Sequence, residues 1–164
     1  MKVVLLRHGP AGDPDSKLWP DDHNRPLTAK GERRVLKAAK LLSELVAPPT
    51  LIATSAALRA WRTATLIADS SSLPAPVIWP ELLPEGAVAP VTARIMAQAS
   101  TETLLLVGHE PTLSEVAAHL LTGDPHGLRI KLSKAGIIGI DIRNVGVAEP
   151  RIELDFLIPK AALD

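Results

Sequence analysis

The chain has 164 residues, of which 46% are apolar and only 2% aromatic, and its 18 basic and 18 acidic side chains cancel at pH 7. A single domain over residues 1–164 is expected at this length, with a core of Leu, Ile, Val and Ala; the charge balance offers no basis for binding nucleic acid or a membrane surface. With no cysteine, disulfides, thiolate metal sites and a cysteine nucleophile are excluded.

The first element is the apolar run Val3-Val4-Leu5-Leu6, which reads as a buried parallel strand over residues 2–8 ending on Arg7-His8-Gly9. It is too short for a secretory h-region, and no stretch approaches a transmembrane span, so a cytoplasmic setting is expected. A long Pro/Asp-rich loop from Pro10 to Pro26 follows, a length that marks it as functional. Thr28 can cap a helix reaching about Val46, with Val35, Leu36, Ala39, Leu42 and Val46 on one face. Residues 51–54 read as a strand, and a helix capped by Ser55 should extend to about Ala68. A short strand at 77–79, the loop Pro80 to Gly86 and a helix near 91–99 come next. Leu104-Leu105-Leu106-Val107 is a second buried strand, ending in Gly108-His109, and Thr112 with Glu115 has the spacing of a capping box for a helix to about Leu121. Residues 137–142 and 152–157 read as closing strands. Alternating strands and helices predict an α/β fold: a three-layer α/β/α sandwich around a mostly parallel central sheet.

Two strands of this pattern each deliver an imidazole, His8 and His109, to the C-terminal edge, where open α/β sheets keep their ligand sites. Arg7 precedes one of them, and Arg59 falls in the first turn of the helix after residue 54. Helix N-termini bind anions through free N–H groups, and guanidinium forks suit phosphate oxygens. The P-loop and dinucleotide fingerprints are both absent.

These residues, in this order, make the chain resemble the histidine phosphatase superfamily, and within it the compact branch typified by bacterial phosphohistidine phosphatases. Arg7-His8-Gly9 is similar to the family signature, Arg59 to its second arginine and Gly108-His109 to its second histidine. Leu27-Thr28-Ala29-Lys30-Gly31 resembles the stretch opening the family's first helix. The resemblance implies that His8 is phosphorylated at nitrogen during turnover, that Arg7, Arg59 and His109 bind the phosphoryl group, and that a carboxylic acid protonates the leaving group. Glu81 fits this branch's pattern best for that acid, with Glu85 second. No cofactor and no metal are implied. The substrate would be a phosphohistidine-bearing protein or a small phosphorylated metabolite.

Two other classes stay open at this point: a phosphate-binding module without turnover, and a metallohydrolase built on His8 and His109. Arg7 and Arg59 would repel a dication, which counts against the second. His23, His119, His126 and Arg62 read as surface or packing residues. The short intervals from His8 to Arg59 and from Arg59 to His109 leave little room for a lid domain, so a shallow, open site is expected.

Overall fold

The computed structural model describes residues 1–98, 101–145 and 148–163. Its strands are β1 (Lys2–Arg7), β2 (Leu51–Thr54), β3 (Val77–Ile78), β4 (Thr103–Gly108), β5 (Ile137–Arg143) and β6 (Arg151–Ile158). The helices are α1 (Ala29–Leu45), α2 (Leu58–Ser70), α3 (Val88–Met96) and α4 (Thr112–Thr122). The strands form one sheet in the order β3-β2-β4-β1-β5-β6. Pairings from β3 to β1 are parallel, and β5 runs antiparallel to both β1 and β6. The mostly parallel α/β architecture is therefore as the alternation of elements predicts.

β1 and β4 lie at the centre, and their apolar runs are continuous because both faces of each strand are covered. Side chains alternate between the two cores. Val3, Leu5, Leu104 and Leu106 pack with Val91 and Ile95 of α3 and Leu113 and Val116 of α4. Val4, Leu6, Leu105 and Val107 face the other way, onto Val35 and Leu42 of α1 and Ala60 and Ile67 of α2. Small alanines line α1 and α2 where they meet the sheet, which lets the helices approach closely without aromatic filling.

Four local expectations are corrected. Leu36 is exposed, because the buried face of α1 runs through Val35, Ala38, Ala39 and Leu42, and position 36 is turned about 100° from Val35. Ser55 does not cap α2: the helix starts at Leu58 with Ala57 in the cap position, and the Ser55 hydroxyl instead accepts the Ala57 N–H in a local turn. α3 begins at Val88, ahead of the expected residue 91, since Pro90 is tolerated in a first helical turn; the expected end at Ala99 lies outside the described residues. The Thr112–Glu115 capping box does not form, because Pro111 takes the cap position and Thr112 donates its hydroxyl to the Gly86 carbonyl. Glu110 caps this helix instead, accepting from the Ser114 backbone N–H.

Where α1 meets the segment leaving β1, backbone approaches backbone. Thr28 caps α1 by accepting the Gly31 N–H, and its own N–H donates to the Pro10 carbonyl. A Cβ at Gly31 would stand 1.9 Å from that carbonyl oxygen, and one at Gly9 would stand 2.6 Å from a Val35 methyl. Gly31→Ala is therefore expected to cost about 1–3 kcal/mol of overpacking, against the ~1 kcal/mol that Ala ordinarily gains over Gly within a helix. Urea denaturation checks this, with Gly12→Ala as the control: a Cβ at Gly12 meets nothing within 4 Å, and its midpoint should not move.

Candidate active site

The parallel pairing of β1 and β4 sets Arg7 opposite Gly108, and the His8 N–H donates to the Gly108 carbonyl at 3.0 Å, extending the ladder one residue past the strand. His8 and His109 thus leave the two central strand tips side by side. Their ring centroids are 5.0 Å apart with the planes tilted by 54°. The Ala135 N–H bonds the Arg7 and His8 carbonyls from the other side, so the backbone that carries the first imidazole is pinned between two neighbours.

His8 Nδ1 lies 2.7 Å from the Gly9 carbonyl oxygen. A carbonyl can only accept, which assigns the proton to Nδ1 and leaves Nε2 with its lone pair. Desolvation lowers the His8 pKa to about 3; the Gly9 hydrogen bond opposes that shift, and the charges of Arg59, Arg7 and Lys134 reinforce it. His109 Nε2 meets the Ser55 hydroxyl at 2.9 Å. Burial lowers its pKa to about 2, helped by His8, Arg59, His23 and Arg7. Both rings are neutral at pH 7. His109 can donate to a phosphoryl group only once protonated, and a bound anion would draw the proton onto it.

Arg59 is reached through a relay of hydrogen bonds. The Gly9 N–H donates to Thr63 Oγ1 at 3.1 Å, and that hydroxyl donates to the Arg59 carbonyl at 2.7 Å, fastening the first turn of α2 to the residue after His8. The Arg59 guanidinium donates from Nη1 to the Asp22 carbonyl and pairs through Nη2 with the Asp22 carboxylate at 3.2 Å. Arg25 holds the same carboxylate at 2.7 Å, and it more than Arg59 keeps the Asp22 pKa low. Arg7 Nη1 donates to the Leu132 carbonyl. Of the three buried side-chain polar atoms without a hydrogen-bond partner among the described residues, two are the Nε atoms of Arg7 and Arg59. A buried donor left unmade costs about 1–3 kcal/mol, and two such donors, both charged, point to an acceptor that the protein itself does not supply.

The structure brings Arg7, His8, Arg59 and His109 together, and it engages Glu81 with Arg94. Both Glu81 oxygens accept from Arg94, whose guanidinium stacks 4.4 Å from the Trp79 ring centroid. Glu85 is the carboxylate of this segment whose charge acts on Arg59, and it meets His23 at 3.4 Å. Arg62 ties α2 to α1 through Glu32 rather than entering the site. The expectation of a shallow, open site is corrected: His8, Arg59 and His109 are 5%, 3% and 4% exposed. The short 3-10 turn at Asp22–Asn24, which packs on α2, supplies cover that needs no lid domain. As residues of the site, Asp22, Ser55 and Thr63 escaped the sequence reading, which made Ser55 only a helix cap. Only the unusual length of the Pro10 to Pro26 loop hinted at the first.

Residues 3–85 match the family model of the histidine phosphatase superfamily (branch 1), a segment containing Arg7, His8 and Arg59 but not His109. An uncharacterized protein from Picosynechococcus sp. is 37% identical over 142 residues, spanning 85% of this chain and 84% of that protein. Among solved structures, the protein histidine phosphatase SixA complexed with tungstate superposes with a TM-score of 0.83 at 25% identity, covering 100% of both chains. The alpha-ribazole phosphatase of Shigella flexneri shares the fold at 19% identity, with a TM-score of 0.76 and coverage of 98% and 97%.

The neutral histidines have a consequence for stability. In the unfolded chain a histidine takes up its proton near its ordinary value of 6.5, whereas His8 in the fold does so only near 3. Between those values the unfolded state binds more protons, so stability falls as pH drops and is fully present above about 7. The melting temperature should therefore decline from pH 7 to pH 4, and a His8→Gln/His109→Gln double variant should flatten that slope in a thermal melt series.

Proposed function

The chain belongs to the histidine phosphatase superfamily, and from that premise we propose that it hydrolyses phosphohistidine carried on a protein, with His8 as the nucleophile. The observation that carries this reading is the pair of unspent, buried Arg7 and Arg59 Nε–H groups flanking a neutral His8 whose Nε2 is free of its proton. Phosphoryl transfer spreads negative charge over the equatorial oxygens, so catalysis is mostly positioning and electrostatic stabilisation. Two fixed guanidinium groups supply the stabilisation. Nε2 of His8 attacks phosphorus, the leaving group departs, and water then cleaves the phosphoimidazole to release phosphate and restore the ring. His109 takes up a proton as the dianion settles beside it and becomes a third donor. The similar protein histidine phosphatase SixA is complexed with tungstate, an oxyanion, which supports an oxyanion-binding role for this chain.

For proton donation to the leaving group we assign Glu85 in place of Glu81, the residue the family resemblance favours. Glu81 already gives both oxygens to Arg94, whereas the Glu85 charge is felt at Arg59. Glu81 is engaged by Arg94 and Glu85 by His23, which fits a substrate that makes little demand on an acid. Imidazole leaves phosphorus more readily than an alkoxide, so a P–N bond breaks with weaker protonation than a P–O bond.

Assays in excess chelator with a phosphohistidine-bearing protein and with an alkyl phosphate test the reading. kcat/KM should be higher for the former. Arg59→Ala should lower it by about a hundredfold or more on both substrates. Glu85→Gln should impair only the alkyl phosphate, and Glu81→Gln should impair neither by more than about threefold. A higher kcat/KM for the alkyl phosphate would make the protein a small-molecule phosphatase, and binding without turnover of either would make it a phosphate-binding module.

A further inference from the structure

Although the chain as a whole is neutral, six of its 18 basic side chains line one groove beside the site. This groove of about 420 Å³ opens next to Arg7, and among the described residues the charged groups lining it are all cationic: Arg7, Lys30, Arg34, Lys131, Lys134 and Lys160. They come from four separate parts of the chain, namely the end of β1, the first two turns of α1, the turn preceding β5, and the C-terminal segment after β6. The turn before β5 is fixed to the catalytic strand: Leu132 accepts from Arg7, and the Ala135 N–H donates to the Arg7 and His8 carbonyls. Lys131 and Lys134 therefore ride on the same backbone that holds the nucleophile in place, and the Lys134 charge is felt at His8. None of the four lysines is ion-paired with a described residue.

We infer that this groove is a docking surface for the substrate protein, and that it selects a phosphorylated side chain set among aspartate and glutamate residues. The inference rests on the proposed hydrolysis of a protein-borne phosphoryl group. One phosphate is already matched by Arg7 and Arg59 and cannot also reach lysines spread over three elements. Lysine is a point charge on a flexible stem, suited to a diffuse acidic face rather than to a single planar fork. Such a patch speeds encounter with an acidic partner and sets its orientation, and it loses both effects in salt.

The test uses two phosphohistidine peptides, one flanked by Asp and Glu and one by Gln, with p-nitrophenyl phosphate as a small probe. For the unaltered protein at low ionic strength, kcat/KM should favour the acidic peptide by about tenfold, and the preference should fade at high ionic strength. The triple variant Lys30→Gln/Lys131→Gln/Lys160→Gln, whose three positions are exposed, should lose the preference and keep its p-nitrophenyl phosphate turnover. Equal values for the two peptides in the unaltered protein, or an undiminished preference in the variant, would overturn the inference. Should neither peptide be hydrolysed while p-nitrophenyl phosphate is, the substrate reading has failed, and fluorescence anisotropy with the unphosphorylated acidic peptide decides the groove. Binding that weakens about tenfold in the triple variant supports the groove; equal binding by both proteins refutes it.

Discussion

The site depends on one pairing, that of β1 with β4, in which Arg7 stands opposite Gly108 and the ladder runs on through the His8 N–H. Because the two strands are parallel and end together, the residue after each strand tip projects at the same edge. Two imidazoles from distant parts of the chain become neighbours as a result. Slipping the register by one residue would send the apolar side chains of β1 to the wrong cores, so the packing that stabilises the sheet also fixes the histidines. Burial at that edge then does chemical work. Desolvation keeps both rings neutral, and the Gly9 carbonyl chooses the tautomer of the one proposed to attack.

The cationic half of the site is coupled to this pairing through short hydrogen bonds rather than through the apolar core. Gly9, Thr63 and Arg59 form a relay between the end of β1 and the first turn of α2. Asp22 completes it from the long loop and occupies the Nη side of Arg59 while Nε stays unspent. A carboxylate on this fork is itself an oxyanion partner. It orients the guanidinium and offsets both its burial and the charge of neighbouring Arg25 before substrate arrives. Gly9 and Gly31 belong to the same design, since each lets α1 press against the segment that carries the nucleophile.

Much of this was legible in the sequence because its causes are local. The unbroken runs Val3 to Leu6 and Leu104 to Val107 declared central strands, and the Arg-His-Gly and Gly-His endings declared what those strands present. Thr28 capped its helix as expected, because the cap hydroxyl and the Gly31 N–H are only three residues apart. What could not be read depended on tertiary approach. Ser55 looked like a helix cap until the His109 ring was known to lie 2.9 Å from its hydroxyl. Asp22 was one acid among several in a polar loop, and nothing in its neighbours announced an arginine far along the chain. Glu81 and Glu85 lie four residues apart in one segment, and tertiary neighbours distinguish them: Arg94 for the first, His23 and Arg59 for the second.

The central claim, that phosphoryl transfer passes through His8, is tested most directly by rapid-quench labelling with a ³²P-labelled substrate. The account predicts a protein-bound label during turnover that is lost in acid, survives alkali, maps to His8 and is absent from His8→Gln. An acid-stable label, or turnover by His8→Gln comparable to that of the unaltered protein, would contradict it.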